Sequence, residues 1–220
     1  MSSTEAVLQH QSNTGWVVLA SQVPRLGGDT PELATHLVER IDLSRPPAVL
    51  TMGEVPPPGL PDLVGDLTGL LAVEPALFST SEEVPPELAD LSLIVLAGGT
   101  TSAWVTLMAP GRLDQILLKA LAKGAVLLVT GGAACALGSW YLEAGTIHDG
   151  LGWVTGSIIL AGSSHPSEDA TVRQLLEEQG RAYALALADH TLVALGPSSE
   201  LEVWGESQPT IVFGPEWSNP

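Results

Sequence analysis

One cysteine, two lysines and ten aromatic residues are all that these 220 residues contain of each kind. The lone thiol, Cys135, excludes an intrachain disulfide framework. Lys119, Lys123 and six arginines stand against 25 acidic residues, for a net charge of −17. Such a surface repels phosphate backbones, which excludes nucleic acid as a partner class. No apolar run approaches the roughly 18 residues that a membrane helix needs. The first fifteen residues, MSSTEAVLQHQSNTG, carry neither the basic stretch nor the apolar core of a signal peptide. They read as a disordered tail over 1–15, with the cytoplasm as the default location and non-classical export left open. His10, His36, His148 and His190 show no metal-ligand spacing, so no metal site is expected, and no cofactor either.

Charge of either sign is scarce. Charged residues are 15% of the chain, where about 25% is usual. A compact monomer of this size needs polar groups to cover itself, so part of its surface is expected to be buried against other copies of the chain. The six tryptophans share no helical or strand stripe and read as core or interface anchors. The length suits one domain, placed at 16–220.

What is present alternates between short apolar runs and amphipathic stretches. Trp16 to Ser21 and Ala48 to Met52 read as buried strands. Between them Thr30 is a candidate N-cap, Pro31 a first helical residue, and Leu33, Leu37, Val38 and Ile41 an apolar stripe. The prolines of VPPPGLP (55–61) stop the second strand, and Pro61 to Phe78 holds a helix and a short strand. Leu91 to Ala97 is a strand, followed by a helix to about Met108 and another over Leu113 to Lys123, with Gly124 as its stop. Ala125 to Thr130 is again a strand. Beyond Gly150 come a strand at 157–161, a helix at 171–179 and four close strand-like runs at 182–188, 191–195, 201–204 and 210–213. The rhythm predicts an α/β fold of three layers, a mostly parallel sheet with helices on both faces and antiparallel strands at its C-terminal edge.

Function in such sheets sits at the carboxyl ends of the strands. Two ends stand out, LIVLAGGTT (93–101) and LLVTGGAACALG (127–138). The second has the pattern of a nucleophile elbow, a tight strand-to-helix turn that lifts one side chain above the sheet. Such a turn needs small residues two before and two after its apex. Ala133 has Gly131 and Cys135 in those places, whereas an apex at Cys135 would put Leu137 against the strand. The spacing therefore predicts Ala133 at the apex, with a positive φ or otherwise strained backbone.

From about Leu91 to Phe213 the chain resembles the peptidase E and cyanophycinase group of serine peptidases, which have the class I glutamine amidotransferase-like (flavodoxin-like) fold. The resemblance lies in four ordered features. They are the strand-Gly-Gly-polar-Thr turn in LIVLAGGTT, the strand-Gly-x-Ser-Ala-Gly-Ala elbow in TGGAACALG, the Gly-Leu-Gly segment and histidine of GLGWVTGSIILAGSSH, and the final strand pair HTLVALGPSSELEVWG. It implies that the family's nucleophilic serine falls on Ala133, its elbow glycine on Cys135 and its histidine on His165. Its acid falls near Asp149, with Glu143 as the alternative. Its oxyanion donors would be the N–H groups of Gly99 and Ala134, and a small peptide is the ligand class implied.

A methyl group cannot attack a carbonyl, and losing a triad nucleophile costs on the order of 10⁶ in kcat. The leading expectation is therefore a catalytically inactive homologue that binds or self-assembles. The alternative is an active hydrolase of small or acidic peptides that uses Cys135 with His165 as its base. A serine enzyme silenced by a single deliberate substitution fits less well, because residue 135 departs from the pattern too.

Overall fold

The computed structural model describes residues 14–27, 31–53, 55–80, 84–109, 111–162, 165–197 and 200–218. The expected tail before Thr14, the expected N-cap Thr30 and residues 163–164 lie outside them.

Five apolar runs become the parallel strands β1 (Trp16–Ala20), β2 (Pro47–Met52), β3 (Ala76–Ser79), β4 (Leu93–Gly98) and β5 (Val126–Thr130). Their order in the sheet is β1-β5-β4-β2-β3. Such strands lack polar alternation because both faces are covered. Val18, Val49, Val95 and Leu128 are buried under α1 (Pro31–Val38) and α2 (Leu60–Leu71). Val17, Leu50, Leu96 and Val129 face α3 (Thr101–Met108), α4 (Arg112–Ala122) and α5 (Gly132–Ala136). Helices on both faces of a mostly parallel sheet make this an α/β fold, as the sequence predicts.

The C-terminal part departs from expectation in one respect. β10 (Thr191–Leu195) and β11 (Leu201–Gly205) extend the first sheet antiparallel beyond β1, at the predicted edge. The runs on either side of them do not join that edge. β9 (Tyr183–Leu187) runs parallel to β8 (Val154–Ala161), and β12 (Thr210–Phe213) pairs with β9, in a second sheet ordered β12-β9-β8-β6-β7. The hairpin β6 (Gly138–Glu143) and β7 (Thr146–Asp149) completes it, turning at Ala144 and Gly145 with φ of 50° and 76°. This sheet shares the core of the first through Ile159, Leu185 and Leu187. Its outer face is covered by α6 (Ala170–Glu178), through Val172, Leu175 and Leu176. The second sheet arises because α5 is only five residues long: the chain leaves it at Gly138 directly into a strand.

Candidate functional site

β5 ends at Thr130, whose Oγ1 donates to the Leu96 carbonyl of β4 at 3.1 Å. The next residue, Gly131, turns the chain with φ 55° and ψ −123°, its N–H donating to Ala20 of β1 at 3.0 Å. That backbone region favours glycine strongly. Gly131 O then accepts from Cys135 N at 3.1 Å, which closes the first turn of α5. The strand-to-helix apex is therefore Gly131. The expected positive φ does not fall on Ala133, since the non-glycine residues with positive φ among those described are Ala72, Ala144 and His190. Ala133 and Ala134 lie inside α5 and are fully buried in the core. Counted from Gly131, two residues earlier than anticipated, the residue two ahead is the small Ala133, while the residue two before is Val129, so the flanking-residue rule is met on one side alone.

The turn after β4 closes over this apex. Gly98 and Gly99 have φ of 78° and 69°, the Gly98 carbonyl accepts from Trp104 Nε1 at 2.6 Å, and Thr100 Oγ1 caps α3 by accepting from Ala103 N. Gly98, Gly99, Gly131 and Gly132 together line a cavity of about 250 Å³, with Gln22 and Pro57 on its far wall. A second cavity of about 480 Å³ adjoins it through Ser21, Gln22, Val23 and Pro58, and is rimmed by Arg25, Asp62 and His190. The crevice thus runs along the carboxyl ends of β1, β4 and β5, where open α/β sheets bind ligands. Gly99 belongs to it. Ala134 does not line it.

Comparison with solved structures places the architecture. A peptidase from an acI-B1 actinobacterium matches 94% of this chain and 93% of its own, with a TM-score of 0.65 and 16% identity. A protein assigned to peptidase E, from Listeria monocytogenes EGD-e, matches over 88% and 99% of the two chains, with a TM-score of 0.55 and 13% identity. No family model and no curated protein matches the sequence. The chain has a peptidase E-like fold.

The remaining residues singled out in the sequence fall in different places on that fold. Cys135 is half-buried, and its sulfur is set against backbone at Ala161, at the end of β8. Its burial pushes the pKa from 9.0 up to about 11, the reverse of an activated thiolate. His165 is exposed, beyond the end of β8, and its carbonyl accepts from Glu168 N. Asp149 ends β7, paired with Trp140 across the hairpin, and lines a separate cavity beside α6 with Thr171 and Glu178. Glu143, at the other end of that hairpin, reaches the first turn of α3. Its Oε1 accepts from Ser102 Oγ at 3.1 Å, and Ser102 is itself 3.2 Å from Thr100 Oγ1. The fold thus brings Glu143, not Asp149, to the glycine turn of β4. No group of three potential metal ligands forms among the described residues, and no described helix is long and apolar enough to cross a membrane.

Gly131 and Glu143 were the residues that sequence reasoning underweighted. The signal for Gly131 was local: glycine is the residue that takes such a φ at little cost, and it directly follows the last residue of the strand.

Proposed function

We propose that this chain is a non-catalytic member of the peptidase E-like group, retained for binding and self-assembly. The observation that carries this reading is the glycine at the apex. With the family's apex serine set on Gly131, its Ser-Ala-Gly-Ala reads Gly131-Gly132-Ala133-Ala134 here, and Ala133 takes the place of the elbow glycine. In this register, and equally with Ala133 at the apex, the position of attack holds neither hydroxyl nor thiol. The oxyanion donors become the N–H groups of Gly99 and Gly132, which border the crevice and are left to bind a carbonyl without cleaving it. A small peptide is the ligand class that suits these donors.

The cysteine hydrolase draws no support from the thiol, because a buried group with a pKa near 11 supplies almost no thiolate at neutral pH. Turnover of acidic dipeptides and aspartyl polymers tests both readings. The wild-type chain and Cys135→Ala are expected to be equally inactive, and Ala133→Ser inactive because its hydroxyl would be buried. Gly131→Ser is the variant expected to recover any hydrolysis. Wild-type turnover that disappears in Cys135→Ala would overturn the proposal.

A further inference from the structure

The cavity beside α6 shares no described residue with the crevice at the glycine turns. It measures about 590 Å³, within the size range of small-molecule sites. Its floor follows from the register of the second sheet. Trp140, Leu142 and Ile147 pack on the side of that sheet that α6 covers, against Val172, Leu175 and Leu176. Asp149 is the cross-strand partner of Trp140, so its carboxylate rises on the same face, next to the indole. His148 falls on the opposite face and stacks on Tyr141 at 5.1 Å.

The helix brings a second carboxylate to the same end. Thr171 Oγ1 meets the Gly145 carbonyl at 3.5 Å, which starts α6 and β7 side by side. Glu178 stands seven residues along the helix from there, about 10 Å at ~1.5 Å per residue. Asp149 stands four residues along the strand, about 13 Å at ~3.3 Å per residue. Both line the cavity, so they close one end of it from its two walls. Glu178 Oε1 accepts from the Gln174 amide at 2.7 Å, a neutral donor that leaves the charge in place. No basic side chain among the described residues forms an ion pair with either carboxylate. The two arginines of this region are engaged elsewhere: Arg173 donates to the Ser167 carbonyl at 3.1 Å, and Arg181 pairs with Glu216 at 3.6 Å. The last turn of α6 carries no basic residue, so its carbonyl end adds to the negative field.

We propose that this cavity binds a small primary alkylammonium, its N–H groups donating to Asp149 and Glu178 and its carbon chain lying on Trp140, Ile147 and Leu175. The floor is what separates the site from a solvated acidic face. A half-buried indole beside a carboxylate offers a cation its ring face as well as a charge, and the neighbouring aliphatic side chains cover an apolar stem. An ammonium brings three donors, which two carboxylates from different walls can share. A metal ion suits the place less, because no three ligating side chains converge among the described residues. The proposal stands apart from the non-catalytic reading of the crevice and from self-assembly.

Isothermal titration calorimetry of the full chain with n-pentylamine tests this, with 1-pentanol as the neutral ligand of the same length. The amine is expected to fill one saturable site roughly 10-fold or more tightly than the alcohol. Asp149→Asn and Glu178→Gln should each weaken amine binding roughly fivefold or more, with melting unchanged. Glu177→Gln, on the same helix but outside the cavity, should leave it as it is. Each of these three variants removes one negative charge, so a general fall in attraction for cations cannot explain a difference among them. Trp140→Leu should weaken binding as well, and should that variant not fold, the two carboxylate variants decide the matter. The assignment is overturned by an alcohol that binds as tightly as the amine, by a loss in Glu177→Gln equal to that in the cavity variants, by amine binding indifferent to both Asp149→Asn and Glu178→Gln, or by the absence of saturable binding.

Discussion

A Cβ added to Gly132 would sit 3.0 Å from the carbonyl oxygen of Gly99, tighter than ordinary van der Waals contact. The turns after β4 and β5 meet at this point, and neighbouring Gly131 poses the opposite problem. A Cβ there would find only Ser21 O, at an ordinary 3.6 Å, but φ is 55°. Gly132→Ala should therefore destabilise by crowding and Gly131→Ala by backbone strain, each by about 1–3 kcal/mol. At roughly 2–4 °C per kcal/mol for a chain of this size, melting should fall by several degrees in each case. A Gly131→Ala variant that melts with the wild type would remove the apex from residue 131.

The thiol of Cys135 predicts a pH dependence at the alkaline end. Its folded pKa of about 11 lies above the ordinary 9.0 because burial disfavours the thiolate. The unfolded chain loses that proton first, so the stabilisation is complete below pH 9 and is lost as pH rises from 9 towards 11. Burial raises the Tyr183 phenol as well, so part of the loss belongs to it. Melting curves from pH 8 to 11 should fall for the wild type and fall less steeply for Cys135→Ala. Identical slopes would show that the thiol is not buried in its neutral form. Iodoacetamide should also label the native chain far more slowly than the unfolded one at pH 8.

Arg40 ties α1 to the β10–β11 edge. Its guanidinium lies 4.6 Å from the Trp16 ring centroid and 4.8 Å from that of Trp204, while Nη2 donates to both carboxylate oxygens of Glu202 at 2.7 and 2.6 Å. Burial works to raise the Glu202 pKa, but hydrogen bonds from Trp204 and Arg40, with the arginine charge, outweigh it and hold the carboxyl below 4.5. Stability from this group is therefore present above pH 4.5 and lost as pH falls through the lowered value. Arg40→Met should cost about 2 kcal/mol near neutrality and should flatten the acid limb of the melting profile. Arg40→Lys should recover less than half of the loss, since an ammonium lacks the planar fork that stacks and bridges together. Full recovery by lysine would reduce the site to a simple ion pair.

How much of this could be read from the residues depended on whether the deciding force was local. Thr191–Leu195 and Thr210–Phe213 begin and end where their β-branched runs do, and Pro31 opens α1 as its fixed φ suggests. The β6–β7 hairpin went unseen because Ala144 occupies a positive-φ place where Asn, Asp or Gly would have announced the turn. The division of β9 and β12 from β10 and β11 depends on long-range pairing, which no local run encodes. At the site, the glycines marked both turns, but the flanking-residue rule pointed to Ala133, and it is the backbone geometry that puts the positive φ on Gly131. Glu143 reaches α3 only because an unforeseen hairpin carries it there.

Self-association should respond to salt in a direction that separates its possible causes. Like-charged copies of net charge −17 repel at any separation within a few screening lengths, and added salt shortens that range from about 30 Å at 0.01 M to about 3 Å at 1 M. The attraction expected between copies is apolar in character, and salt does not screen it. The dimer should therefore tighten, or at least persist, between 0.05 and 1 M sodium chloride. Ion pairs such as Arg25 with Asp62, already satisfied within one chain, would contribute nothing to that trend. A contact built on carboxylates meeting arginines would behave the other way and loosen as salt rose. Light scattering across the series distinguishes the two by the sign of the slope. A dimer that dissociates in high salt would rule out an apolar contact as what holds the copies together.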